Sequence, residues 1–272
     1  VQMPFIDPKV GGVGTRQNAV SRESSIWRVV ADWLINTRYL DYVPVESIFG
    51  GVACLSGRTA AYRRSAILPV VEQLEYEYFL GQQCISGDDG RLTWLVLAAG
   101  YKTVYQSNAR AWSMFPNQWK AFAKQRVRWS RNSYRCYLTA IYKGWLWQQP
   151  IMTQIRVLQI LATPITMSFG LFFVLLAALQ QDWELLAVSL AWIVVGRGIR
   201  SISHLREHPQ DVWLLPLVAL VVIYIAVPIK TWAFFSMNKH GWLTRQHSIQ
   251  GSEGQSEASL HEPALDAAAS VQ

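Results

Sequence analysis

Asp88 and Asp89, in the run Ser86-Gly-Asp-Asp89, are paired carboxylates just ahead of a helix expected from Arg91. Three chemistries are open to them. They can cap the helix, where aligned peptide dipoles favour negative charge. They can ligate a metal. Or one can act as a general base whose pKa the other raises. Gln125-Arg-Val-Arg-Trp129 offers something different. On a helix Gln125, Arg128 and Trp129 fall at i, i+3 and i+4 and share one face. Gln and Arg suit phosphate oxygens, which a guanidinium clamps in bidentate fashion, and Trp offers a flat apolar face to a sugar ring. A membrane-surface anchor, with Arg on lipid phosphate and Trp at the headgroup boundary, explains the same residues. Ser56-Gly-Arg-Thr-Ala-Ala-Tyr-Arg-Arg64 follows an expected strand. Gly57 there permits close backbone approach, although a strand-to-helix turn accounts for it equally well. Trp242-Leu-Thr-Arg245 follows the last apolar run, where a membrane-exit anchor is the simple reading. The sequence has no P-loop, no His-Glu-x-x-His, no Gly-x-Ser-x-Gly and no Cys/His cluster. His204, His208, His240, His247 and His261 fall in the membrane region or the tail and read as loop residues.

The elements that must position these groups follow from composition. Of 272 residues, 51% are hydrophobic and 16% charged, which excludes a disordered chain, a collagen and a disulfide-rich miniprotein. Cys54, Cys84 and Cys136 are an odd, widely spaced set without metal-ligand spacing, so they read as reduced thiols in a cytoplasmic context. No apolar leader opens the chain, and its first residues read as the middle of a fold, so a portion of a longer protein is expected.

Residues 1–116 mix short β-rich runs, glycines and both signs of charge. Val10-Gly-Gly-Val-Gly14 predicts a strand or turn, and residues 24–40 an amphipathic helix. A strand is expected around Phe49-Gly-Gly-Val-Ala-Cys-Leu55, a helix over Arg91–Ala99 and a short buried strand over Lys102–Tyr105. Strands alternating with helices favour an α/β domain. Residues 101–156 hold ten Lys and Arg and no Asp or Glu, interleaved with aromatics. Ahead of apolar segments, that pattern fits a helix lying among lipid headgroups better than nucleic-acid binding.

Three apolar runs follow, 157–180, 183–199 and 212–229. The first exceeds the ~20 residues a bilayer requires, the second can just span, and Pro216 and Pro228 interrupt the third. Arg197, Arg200 and Arg206 between the second and third runs place 1–156 and 197–211 in the cytoplasm by the positive-inside rule. A full third crossing would carry Lys239 and Arg245 outside, so a bent or re-entrant third segment is one resolution. Residues 246–272 are small and polar, without Lys or Arg, and predict a flexible tail.

Taken in order, Ser-Gly-x-x-x-x-Tyr-Arg-Arg, Ser-Gly-Asp-Asp-x-x-Leu-Thr, Gly-Tyr-Lys-Thr-Val-Tyr and Gln-x-x-Arg-Trp, then apolar spans, resemble the family 2 processive glycosyltransferases. These include the hyaluronan, chitin and cellulose synthases, and the wording is nearest to hyaluronan synthase and nodulation-type chitin-oligosaccharide relatives. Asn238-Lys-His-Gly-Trp-Leu-Thr-Arg245 also resembles their gating-loop segment. The likeness covers roughly residues 5–245. It implies an α/β fold: the C-terminal half of a GT-A glycosyltransferase domain (1–116), amphipathic interfacial helices (117–150), transmembrane helices (151–236), a gating-loop-like segment (237–245) and a disordered tail (246–272).

The resemblance also implies roles. Asp89 would be the general base and Asp88 its neighbour. Gln125, Arg126 and Arg128 would hold the nucleotide diphosphate, and Trp129 would stack under the acceptor sugar. Cys54, Ser56 and Gly57 would form the acceptor-side loop, and Trp242, Thr244 and Arg245 would close over bound nucleotide. The implied partners are a UDP-sugar donor, a growing polysaccharide and a lipid bilayer, with no nucleic acid. The implied cofactor is Mg2+ or Mn2+, and the implied place a multi-pass protein of the inner (plasma) membrane with its catalytic part cytoplasmic. One departure stands out: the sequence has no Asp-x-Asp, the family's metal motif. A non-processive transferase acting on a lipid or short acceptor, and an inactive fragment or polysaccharide-binding scaffold, remain the alternatives.

Overall fold

β1 (Val10–Ala19) is buried over almost its whole length, which is why it shows no polar alternation in sequence. It is the central strand of a three-stranded sheet in a computed structural model that describes residues 1–239. Trp242, Thr244, Arg245 and the expected tail lie outside the described residues. α1 (Ile26–Asn36) follows, with Ser25 as its N-cap accepting the Trp27 N–H at 3.2 Å. A π-turn (Thr37–Tyr42) and α2 (Val43–Ile48) extend it.

The strand expected over Phe49–Leu55 does not form. Gly51 makes a single bridge to Thr103. The backbone beyond it is tied down from the side: Ala53 N–H donates to Glu46 Oε2 at 2.9 Å and Leu55 N–H to Thr93 Oγ1 at 3.1 Å. Side chains satisfy these amides, so no partner strand is needed.

β2 (Ala60–Tyr62) pairs antiparallel with β1. Two short helices, α3 (Arg64–Ile67) and α4 (Val71–Glu75), and a small hairpin, β3 (Tyr78–Phe79) with β4 (Gln82–Gln83), lead to α5 (Asp88–Ala98). β5 (Lys102–Ser113) pairs in parallel with β1 and runs well past Tyr105. A bulge opposite Thr15 and Arg16 lets the ladder resume at Arg110.

α6 (Trp119–Tyr142) carries the basic, aromatic sequence as one 24-residue helix. Cys136, Tyr137 and Ala140 pack on Trp94 and Leu97 of α5, while Phe122 joins Val30, Trp33 and Tyr39 beneath α1. α7 (Ile151–Leu179) and α8 (Trp183–Ile199) follow, with Asp182 capping α8 through the Leu185 N–H at 2.9 Å. They turn Phe169, Phe172, Trp183 and Trp192 outward.

α9 (Ile202–Glu207) leads into one continuous helical run from Pro209 to Phe235, comprising a 3-10 turn, α10 (Leu215–Leu220), a π-turn (Val221–Ile225) and α11 (Ala226–Phe235). α7 and this run are each long and apolar enough to cross a membrane. The 17 residues of α8 reach about 26 Å, slightly less than the hydrocarbon thickness.

Both ends of the last run hold the α/β part. Asp211 pairs with Arg22 and His204. At the other end Arg131 donates to Ser236 Oγ at 2.8 Å and Arg135 to the Met237 carbonyl at 2.6 Å. Between them Val218 and Val221 pack in the core with Trp33 and Tyr39. His204, expected in a loop, is instead fully buried in α9, stacked 4.4 Å from the Trp33 ring.

Candidate functional site

Gly87 sets the site's geometry. It takes φ +88°, a left-handed conformation that side chains disfavour, and a Cβ there would meet Asn132 Cγ at 2.8 Å. The turn therefore fits tightly against α6, where Ser86 Oγ donates to Asn132 Oδ1 at 3.1 Å and Arg135 donates to Ser86 Oγ at 3.0 Å. The chain then enters α5 with Asp88 and Asp89 in its first turn. Neither is the cap, since Gly87 occupies that position. Their charge still favours the helix N-terminus.

The two carboxylates differ in place. Asp88 is exposed, while Asp89 is half-buried and turned toward the loop from Cys54 to Gly57. Asp89 Oδ1 accepts the Gly90 N–H at 2.8 Å and Oδ2 the Gly57 N–H at 3.3 Å. A Cβ on Gly57 would lie 3.2 Å from that of Asp89, so glycine lets the loop backbone reach the carboxylate. Each carboxylate oxygen retains a free lone pair after these bonds.

Cys54 is the first residue of this loop. Its side chain is partly open, yet burial pushes its thiol up to about 11, with the Asp89 charge adding to the effect. It is a neutral thiol at pH 7 and a poor nucleophile. Its carbonyl accepts Arg38 Nη2 at 2.6 Å.

Next to Gly57, the exposed Arg58 lays its guanidinium 5.5 Å from the Trp129 ring and 4.5 Å from that of Phe115. Arg126 lies 5.1 Å from the same indole and 5.0 Å from Phe122. Trp129 is thus flanked by two cations, an arrangement its ring quadrupole favours. Burial lowers Arg126 to about 10, and the charges of Arg58 and Arg38 add repulsion. Its Nε and Nη2 are buried without hydrogen-bond partners among the described residues, as is Gln125 Oε1 on the preceding residue. Arg128 is half-buried on α6, near enough to Arg58 for the two charges to repel.

The structure therefore joins Asp89 and Gly57 directly, keeps Cys54 within reach of the Asp89 charge, and links the loop through Arg58 to Trp129 and Arg126. Ser56 lies half-buried in the same loop. Thr93, Tyr62, Arg38 and Asn132 also belong to this constellation. Thr93, four residues after Asp89, could have been found from helical spacing, but Arg38 comes from a distant element and carries no sequence signal. Among the described residues no three His, Cys, Asp or Glu side chains are grouped to hold a metal.

Residues 1–132 match the family model described as "Glycosyltransferase like family 2". Hyaluronan synthase 3 of Homo sapiens is 28% identical over 247 residues, covering 88% of this chain and 42% of that protein. Hyaluronan synthase of Streptococcus pyogenes is 26% identical over 245 residues, 89% of this chain and 57% of the relative. An N-acetylglucosaminyltransferase of Neorhizobium galegae is 25% identical over 270 residues, 97% of this chain and 61% of the relative. The chain thus spans about two to three fifths of the length of these relatives.

Proposed function

We propose that the family 2 glycosyltransferase domain carried by residues 1–132 moves a sugar from a UDP-linked donor to a hydroxyl of a glycan acceptor, inverting the anomeric centre and building a β-linked polysaccharide. The observation that carries this reading is the carboxylate of Asp89 fixed against the 54–57 loop by the Gly57 N–H at 3.3 Å, beside an aromatic face rimmed by cations. A sugar hydroxyl is a weak nucleophile at neutral pH. Asp89 takes its proton as the new carbon–oxygen bond forms. The bond to the donor phosphate breaks and its electron pair leaves with UDP. Gln125, Arg126 and Arg128 are suited to hold that diphosphate, whose developing charge needs donors aimed at it. Trp129 would carry the acceptor sugar, because stacking tolerates the sliding that repeated addition requires. Homology with the named synthases points to a divalent cation. The described residues do not fit one, so no step here passes through it.

The apolar helices belong to the same reading. α7 would leave the membrane's inner face and α8 return to it. The run from Pro209 to Phe235 would rest on the inner face, since both its ends hold the α/β part. The catalytic part is then cytoplasmic at the plasma membrane. Passage of the product through the protein's own channel extends this proposal.

The test uses membranes carrying the full chain and radiolabelled UDP-sugars supplied singly and in pairs. Asp89→Asn should lower turnover by about 100- to 10,000-fold while UDP binding is unchanged. Undiminished turnover removes Asp89 from the chemistry, and lost UDP binding makes it structural. Single-sugar addition to a lipid or short acceptor, in place of polymer, selects the non-processive alternative.

A further inference from the structure

We propose that Thr93 is a positioning residue that closes a ring of hydrogen bonds between the acceptor-side loop and Asp89, an inference resting on the role given to Asp89 above. Thr93 is completely buried in α5. Its hydroxyl donates to the Asp89 carbonyl at 2.7 Å. The same oxygen accepts the Leu55 N–H at 3.1 Å and lies 3.0 Å from the Tyr62 hydroxyl. A threonine hydroxyl has one proton and two lone pairs. Once its proton goes to Asp89, Tyr62 must be the donor in the third bond. The hydroxyl's bonding capacity is then filled, with no lone pair spare.

The bonds form a closed circuit. From the Asp89 carbonyl it runs to the Thr93 hydroxyl, then to the Leu55 amide, along the chain through Ser56 to the Gly57 amide, and back to Asp89 Oδ2. Only the last link, at 3.3 Å, touches the carboxylate, and it is the longest of the four bonds in and around the circuit that meet Thr93 or Asp89 Oδ2. Thr93 therefore sets how near the loop stands to the proposed base. Tyr62, on β2, fixes the hydroxyl's orientation from the sheet side. An ordinary helical threonine bonds back to the i−4 carbonyl and does nothing more. This one also holds a loop far away in sequence.

Thr93→Val keeps the volume and removes the hydroxyl, and Thr93→Ser keeps the hydroxyl. In the full chain, amide hydrogen exchange over residues 54–59 should quicken in Thr93→Val and stay near wild type in Thr93→Ser. Turnover with UDP-sugars should fall roughly 10- to 100-fold in Thr93→Val, as expected when a reacting group is misplaced, with UDP affinity unchanged and with recovery in Thr93→Ser. Tyr62→Phe, which removes one bond and leaves the circuit intact, should give a smaller change of the same sign. Unchanged exchange in Thr93→Val overturns the proposal whatever the activity. Quickened exchange with full turnover, in a background where Asp89→Asn is inactive, overturns the positioning role alone. An active Asp89→Asn overturns the reading of the base, and the exchange result still decides whether Thr93 holds the loop.

Discussion

At the scale of single residues, neighbours with the same chemistry have different environments. Asp88 faces solvent and Asp89 faces the loop, so their order in the run Ser86-Gly-Asp-Asp89 decides which one the Gly57 N–H reaches. Trp129 presents a similar choice. A membrane anchor would sit apart from the carboxylate, whereas this indole lies 5.5 Å from the guanidinium of Arg58, the residue after Gly57. If the protein polymerises as proposed, Trp129→Ala should shorten the polymer several-fold, measured by gel filtration of labelled product, and lower the rate of first addition less. Product of unchanged length would return Trp129 to the role of anchor.

At the scale of elements, prolines explain the two π-turns. Thr37–Tyr42 lies just ahead of Pro44 and Val221–Ile225 just ahead of Pro228. A proline ring crowds the carbonyl four residues earlier and has no N–H to offer it, so the helix widens by a residue upstream. The first π-turn carries Arg38 beneath the Cys54 carbonyl. The second places Val221 in the core cluster.

α9 adds a polar clamp between them. Glu207 pairs with Arg16 of β1, and Trp33 Nε1 donates to Ser201 Oγ at 2.8 Å. His204 Nε2 lies 2.9 Å from Asp211 and Nδ1 3.2 Å from Asn36 Nδ2. Asn36 donates at that second contact, so Nδ1 accepts and Nε2 carries the proton given to Asp211. Asp32 and His208 are the other titratable groups nearby, and Arg22 bridges Asp32 and Asp211.

Burial pushes the His204 pKa down, and Asp211 offsets only part of that. The unfolded chain then binds the extra proton more readily than the folded one. The clamp's stability is complete above the ordinary histidine range, near 6.5, and is lost as pH falls below it. The Arg16 pair holds the Glu207 carboxyl below its usual range, so that contribution persists to more acidic pH. Thermal unfolding of the purified protein should therefore show a midpoint that drops between pH 7.5 and 5.5. The drop should be smaller in His204→Gln, and an equal drop in both would place the sensitive group elsewhere.

At the scale of the whole molecule, the last apolar run decides topology. Hydropathy alone marks it as a possible span. Its ends, however, contact Arg22 and His204 on one side and Arg131 and Arg135 on the other, all in or against the α/β part. Gln210 and Asn238 are exposed near those two ends. With Gln210→Cys and Asn238→Cys, a membrane-impermeant maleimide should label both positions in inside-out vesicles and neither in right-side-out ones. Labelling of the two positions from opposite faces would show that the run crosses.

The sequence by itself determined what depends on neighbours along the chain. The α/β character, α1, α5 and the long apolar helices follow from periodicity and length, and the Ser-Gly-Asp-Asp turn and the Gln-x-x-Arg-Trp helix from residue type at fixed spacing. Tertiary structure decided whatever depends on partners distant in sequence. The strand expected at Phe49–Leu55 became a loop because Glu46 and Thr93 satisfied its amides. His204 became a buried clamp because Trp33, Asn36 and Asp211 surround it. Val218 and Val221 of the final run became part of the core because they share a buried cluster with Trp33 and Tyr39. Hydropathy reports how much a segment gains by leaving water. It does not say whether lipid or protein receives it, and only the folded chain supplies that surface.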